Sequence, residues 1–209
     1  EKIIERKYDL NIWTFVRAVP YPLEVLKLMR KAGFTWVAMG IESFVDHVRE
    51  GVDKNTAQEK LIETINMYKE ADINIIANFI FGLPDDTLET MNKTLEMAME
   101  FNFEYVDFYT CMAYPGSQLY QESIQKNLKL PDSWHGYSQL GIETLPLPTK
   151  TLTGEQVLEF RDQAFIKYFN NPKYIENIRK RFGEKAVDHV KKMMQIKLER
   201  KFVPLKEAV

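Results

Sequence analysis

The sequence predicts an α/β protein: about four parallel strands joined by crossover helices, followed by a helical C-terminal extension. Three observations carry this. Four short, nearly continuous apolar runs recur at Trp13–Val19, Thr35–Ile41, Ile73–Phe81 and Tyr105–Met112, the pattern of strands in a covered parallel sheet. Amphipathic helical patterns with start and stop signals lie between them. In the last third the apolar runs cease and helical patterns remain. Right-handed crossovers would wind such strands in one sense, into an open sheet or an arc of a barrel.

After the first run, Pro20 and Pro22 precede Leu23, Val25, Leu26, Leu28 and Met29 at helical spacing, and Gly33 stops that helix. The second run closes on Gly40-Ile41. Thr56-Ala57-Gln58-Glu59 then matches a capping box, and Leu61, Ile65 and Tyr68 form the apolar stripe of the helix it would open. The third run ends at Gly82-Leu83-Pro84. Asp86, three residues before Glu89, marks the start of a helix carrying Leu88, Met91, Leu95 and Met99. The fourth run ends at Tyr114-Pro115-Gly116. Residues 128–152, rich in Pro, Leu and Thr, are expected to form a long irregular connection. A second capping box, Thr153 to Gln156, opens a helix with Val157, Phe160, Ala164, Phe165 and Tyr168 on one side. Asn170-Asn171-Pro172 breaks it. A short helix to Gly183 and a final one with Val187, Val190, Met194 and Leu198 complete the chain. Lys191, Lys192, Lys197, Arg200 and Lys201 are expected on a solvated helix face.

With 209 residues the chain can bury a substantial core. Lys+Arg 28 against Asp+Glu 30 gives a net charge of −2, which supplies no basic field for nucleic acid. No apolar run approaches the roughly 20 residues that span a bilayer, and Glu1–Lys7 lacks the apolar core of a signal peptide. The expectation is a cytoplasmic protein with neither nucleic-acid nor membrane partners. The one cysteine, Cys111, leaves no internal disulfide and no thiolate-only metal site in this chain. His47, His135 and His189 share no ligand spacing, so no protein-held metal is expected here either.

Ligands of parallel α/β sheets bind beyond the carboxyl ends of the strands. That rule selects Arg17 near the end of strand one and Gly40, Glu42 and Ser43 at strand two. It adds Asn78, Ile80 and Gly82 at strand three and Tyr114 beyond strand four. Together they suit an adenosine-bearing ligand. A carboxylate such as Glu42 can accept two hydrogen bonds from ribose hydroxyls, and Asn78 can donate and accept there. Gly40 and Gly82 allow the backbone close to a flat base, with Ile80 against it. Singly, each residue also has a structural explanation: Gly82-Leu83-Pro84 as a turn, Glu42 as an acceptor for helix N–H groups, Arg17 in a surface ion pair, Asn78 as a satisfied core amide. Cys111 is expected to act as a small buried hydrophobe, and Asp107, one position off the rim, as a polar core group.

In combination and order, Gly40-Ile41-Glu42-Ser43, Asp53-Lys54-Asn55-Thr56, Asn78-Phe79-Ile80-Phe81-Gly82-Leu83-Pro84 and Tyr114-Pro115-Gly116-Ser117-Gln118-Leu119-Tyr120 resemble the back half of the radical S-adenosylmethionine (SAM) core. The subgroup most resembled is the cobalamin-dependent one related to the anaerobic magnesium-protoporphyrin IX monomethyl ester cyclase. Phe160–Phe165 and Leu198–Lys201 are similar to that subgroup's C-terminal extension. The resemblance implies the C-terminal portion of a partial (β/α)6 TIM-like barrel over residues 1–127, then a loop and helical extension over 128–209. It implies that Glu42 and Asn78 touch the SAM ribose and that Lys54 pairs with the methionine carboxylate. Gly40 and Ser43 belong to the same strand-end motif. Ile80, Gly82 and the backbone around Tyr114 would contact adenine, and Arg17 would meet the carboxylate or substrate.

A complete family member would cleave SAM reductively to a 5′-deoxyadenosyl radical acting on a small-molecule substrate, with methyl transfer or cyclisation where cobalamin takes part. It would hold a 4Fe–4S cluster on a CxxxCxxC loop. This sequence has no such loop, so its ligands are expected outside this chain, and the chain alone is expected to be an inactive fragment with no catalytic residue of its own. The leading alternative is a non-catalytic α/β domain binding a nucleotide or a protein. Another (β/α) barrel enzyme stands third, because no strand lysine or phosphate loop supports it. An open half barrel would leave an unpaired edge at Trp13–Val19, which predicts edge-strand self-association.

Overall fold

The computed structural model describes residues 1–51 and 56–203. Strands β1 (Ile12–Arg17), β2 (Phe34–Glu42), β3 (Asn74–Phe81) and β4 (Tyr105–Thr110) make one sheet in that order, and every neighbouring pair is parallel. Sequential order without reversal is the winding of a barrel wall, as expected; a doubly wound sheet reverses order at a switch point. Between the strands run α2 (Leu23–Lys31), α3 (Asp46–Glu50), α4 (Gln58–Glu70) and α5 (Leu88–Phe101). A short α1 (Lys2–Glu5) precedes β1. After β4 come α6 (Gln118–Gln125), an irregular stretch with a single 3₁₀ turn at Trp134–Tyr137, then α7 (Gly154–Phe169), α8 (Pro172–Phe182) and α9 (Glu184–Met194). The expected helical extension is therefore present, although Leu198 lies beyond its last helix.

Strand side chains alternate between two faces. Val37, Met39 and Ile41 of β2, Ile75, Ala77, Phe79 and Phe81 of β3, and Val106 and Phe108 of β4 point under the helices. They share one core with Leu26, Leu61, Ile65, Tyr68, Leu95, Val157, Tyr168 and Ile178. Tilted aromatic contacts link Phe44, Phe79, Phe108 and Phe81 with centroids 5.2–5.7 Å apart. The opposite face carries Trp13, Phe15 and Arg17 from β1, Trp36, Ala38 and Gly40 from β2, Ile76, Asn78 and Ile80 from β3, and Tyr105, Asp107 and Tyr109 from β4. It is far less covered: Trp13 is 56% and Phe15 73% exposed.

The two sheet edges differ. β4 is closed along its free edge by side chains. The Gln139 amide accepts from Thr110 N–H (2.8 Å) and donates to Thr110 C=O (3.0 Å), copying a strand neighbour. Arg161 Nε donates to Phe108 C=O (2.7 Å), and the Tyr168 hydroxyl donates to Phe103 C=O (2.8 Å). β1 pairs with β2 alone among the described residues. At the N-terminal end of the strands, Phe182 stacks on Trp36 and Arg181 binds Asn74, Asp72 and Glu104, so α8 closes that end of the sheet.

Three local expectations are corrected. Thr56 does not cap α4: its carbonyl is held by the Arg49 guanidinium, so the N-cap shifts to Ala57, and Asp46 Oδ1 accepts the Gln58 N–H in its place. Asp86 does not cap α5, whose capping box is Thr87–Thr90. Arg200 is not solvated: its side chain is 3% exposed and locked to Asp162, Gly141, Thr144 and Gln139. The capping box at Thr153–Gln156 and the break at Pro172 are as expected.

Candidate functional site

β1, β2 and β3 end at Arg17, Glu42 and Phe81, and β4 ends at Thr110, so the carboxyl ends share one rim. Register puts Arg17, Gly40, Asn78 and Asp107 in a single row across the open face, one residue from each strand. Ile80 and Tyr109 form the next row toward the rim. Asn78 Oδ1 in this row is buried with no hydrogen-bond partner. Buried polar atoms are nearly always satisfied, so an orphaned acceptor in a strand next to an open face calls for a partner from outside the chain. The other orphan, Asn102 Oδ1, sits in the turn before β4, at the far end of the strands.

Glu42 has φ +65°, a left-handed conformation rare outside glycine and asparagine, at a point where the β2–β3 register slips. Such strain persists where the surroundings over-determine it. Arg49 holds the chain that follows. Its guanidinium, 2% exposed, donates to the carbonyls of Ser43 and Thr56 and pairs with Asp46, so one side chain ties the end of β2 and the start of α3 to the residue two before α4. Burial pulls its pKa down and Asp46 raises it again. Lys54 belongs to this segment and lies outside the described residues.

The third-strand turn is built by Asp86. Its carboxylate is 2% exposed, accepts from Gly82 N–H (3.0 Å) and Leu83 N–H (3.1 Å), and takes the Thr90 hydroxyl (2.7 Å). Burial raises the Asp86 pKa, with these three donors opposing the shift. A raised folded-state value means that the folded chain holds this proton more tightly than the unfolded one. Its contribution therefore favours folding at low pH and is lost as pH climbs from the ordinary carboxylate range through the folded-state pKa. Asp86→Asn is expected to flatten the decline in stability between about pH 4 and the folded-state pKa, read from urea midpoints against the wild type. An unchanged profile would contradict this. Gly82 itself has φ +81°, and a Cβ there would lie 2.5 Å from Val157 Cγ1. Gly82→Ala combines backbone strain with overpacking of α7 and is expected to lower stability by about 2–4 kcal/mol, measured by chemical denaturation.

The remaining sequence candidates fall in different places. The Ser43 side chain is buried against α5, hydrogen-bonded to Thr94 Oγ1 (3.1 Å), and so is not on the open face. Tyr114 is exposed, with its carbonyl taken by Ser117. Cys111 is buried and its thiol is pushed up to about 12 by desolvation, which makes it inert. Asp107, expected in the core, stands level with Asn78 through the fourth strand's register, which is invisible in one strand's sequence. Burial raises the pKa of its carboxyl, and a hydrogen bond with the Tyr109 hydroxyl opposes that rise. A depression of about 210 Å³ lined by Asn11, Trp13, Trp36 and Ile76 lies at the opposite end of the same face. It is smaller than an ordinary ligand pocket. Among the described residues no group of three or more His, Cys, Asp or Glu could hold a metal ion, and no helix is long and apolar enough to cross a membrane.

Residues 1–98 match the family model described as the radical SAM superfamily. An uncharacterized methyltransferase of Pyrococcus horikoshii is 26% identical over 174 residues, 83% of this chain and 37% of the relative. The anaerobic magnesium-protoporphyrin IX monomethyl ester cyclase of Cereibacter sphaeroides is 29% identical over 153 residues, 73% of this chain and 24% of the relative. The chain thus spans less than two fifths of either curated relative. Among solved structures, the archaeal Methanocaldococcus infernus Elp3 with an N-terminal deletion superposes with a TM-score of 0.51 at 16% identity, covering 82% of this chain and 44% of that one. That likeness concerns the fold.

Proposed function

We propose that this chain, whose residues 1–98 match the radical SAM superfamily model, is part of a radical SAM protein and that the open face of β1–β4 forms the ribose and adenine side of a SAM site. The observation that carries the proposal is the orphaned, buried Asn78 Oδ1, which a ligand hydroxyl or amine would satisfy. Glu42, with its left-handed backbone at the end of the neighbouring strand β2, adds a carboxylate to the same strand-end rim. Lys54 is the residue that the family resemblance sets against the methionine carboxylate. Ile80 offers an apolar flank for the base, and Gly82 brings backbone close to it. When bound and reduced by its partner cluster, SAM supplies an adenosyl radical; this chain's residues bind and orient the cofactor and exclude water.

The chain's own residues do not fit a 4Fe–4S cluster. Its single cysteine is buried with a raised pKa, whereas a cluster needs several thiolates. Cluster ligation, a small-molecule substrate and any methyl transfer or cyclisation, for which the methyltransferase and cyclase relatives are the support, belong in this proposal to the whole protein. Equilibrium dialysis of the chain with labelled SAM tests the reading. Saturable one-to-one binding is expected, and none at millimolar SAM would overturn it. We further propose that the β1 edge, unpaired among the described residues and with Trp13 and Phe15 exposed, drives self-association of the chain. Light scattering is expected to show a concentration-dependent rise in mass that Phe15→Lys abolishes; a monomer at all concentrations would contradict it.

A further inference from the structure

We propose that Asp107 is an additional recognition residue of the adenosyl site, sharing the two hydroxyls of the ribose cis-diol with Asn78. The inference rests on the SAM-binding reading above and assigns a residue that neither the sequence motifs nor the relatives point to. Its basis is the row Arg17–Gly40–Asn78–Asp107. Asn78 and Asp107 are register partners on adjacent strands, about 4.8 Å apart in a sheet, and their side chains leave the same face. Gly40 on the other side of Asn78 contributes no side chain, so the floor beside the amide is open toward β2 and bounded by Asp107 toward β4.

The two groups have matching needs. Asn78 Oδ1 is a buried acceptor without a donor. An ionised carboxylate has about four acceptor positions, and Asp107 is a half-buried one against which the Tyr109 hydroxyl hydrogen-bonds. Burial raises the pKa of its carboxyl, with the Tyr109 hydroxyl and Arg161 opposing the rise. An orphaned acceptor level with a half-buried carboxylate selects a ligand with two adjacent donors. A ribose cis-diol supplies them, and a hydroxyl donating to a carboxylate makes the stronger, charge-assisted kind of bond. Tyr109 follows two residues on along the same face of β4, which makes it the proposal's positioning residue for the carboxylate.

The test is competition against labelled SAM by adenosine, 2′-deoxyadenosine and 3′-deoxyadenosine, with the wild-type chain, Asp107→Ala and Tyr109→Phe. The wild type is expected to prefer adenosine to at least one deoxy analogue by about tenfold, the effect of one hydrogen bond to a charged acceptor. Asp107→Ala should bring that ratio to within about twofold while leaving the weaker analogue's own affinity unchanged. Tyr109→Phe should reduce the ratio part of the way, and it serves alone if Asp107→Ala fails to fold. A ratio that survives in both variants overturns the proposal and leaves the SAM site standing. A wild-type chain that binds no SAM overturns the underlying reading and this inference with it.

Discussion

Asp162→Ala is expected to lower stability by about 3–5 kcal/mol, the largest single loss in this chain, because it strands two buried guanidiniums. Asp162 accepts from Arg161 Nη1 (2.7 Å) and, through both oxygens, from Arg200 Nε (2.8 Å) and Nη2 (2.9 Å). The Arg161 and Arg200 side chains are 7% and 3% exposed, so solvent cannot replace the carboxylate. A loss of that size is a large share of the roughly 5–15 kcal/mol that holds a domain folded. The damage should spread. Arg200 also holds the Gln139 and Gly141 carbonyls, and Gln139 closes the β4 edge at Thr110. Urea denaturation measures the stability change, and hydrogen exchange at Thr110 N–H should accelerate in the variant. A loss below about 1 kcal/mol would place this cluster with surface ion pairs.

Asn78→Leu is expected to raise stability while weakening SAM binding at least tenfold. A buried acceptor with no donor carries a desolvation cost of about 1–3 kcal/mol, and an apolar side chain of similar size between Ile76 and Ile80 removes it. The same change deletes the atom assigned to the ribose. Opposite movement of denaturation midpoint and affinity separates a binding residue from a core amide, for which both would fall or neither would move.

All four strands and the alternation of helices were legible, because apolar runs bounded by Gly and Pro report burial directly. The side each residue faces was not. Trp13 and Phe15 look like core, yet they stand on the open face. Register was illegible for the same reason: Asp107 was assigned to the core because no single strand reveals that it stands level with Asn78. The caps went wrong where tertiary partners intervened. Thr56 lost its role to the Arg49 clamp, and Asp86 turned back to the Gly82 turn. Arg200 looked like one charge among several, and only the fold of the loop at 139–144 shows that it is buried. The rim residues Glu42, Asn78 and Gly82 were found from strand ends alone, since topology fixes where a parallel sheet offers its ligand side.

Backbone and side-chain amide NMR of the labelled chain during SAM titration probes the proposed site most directly. The expected outcome is a saturable set of shifts at Gly40, Glu42, Asn78 and Gly82, with the Asn78 side-chain amide among the largest. Shifts confined to the Trp13–Trp36 end of the sheet or to α8 and α9, or no saturable shifts at all, would contradict it.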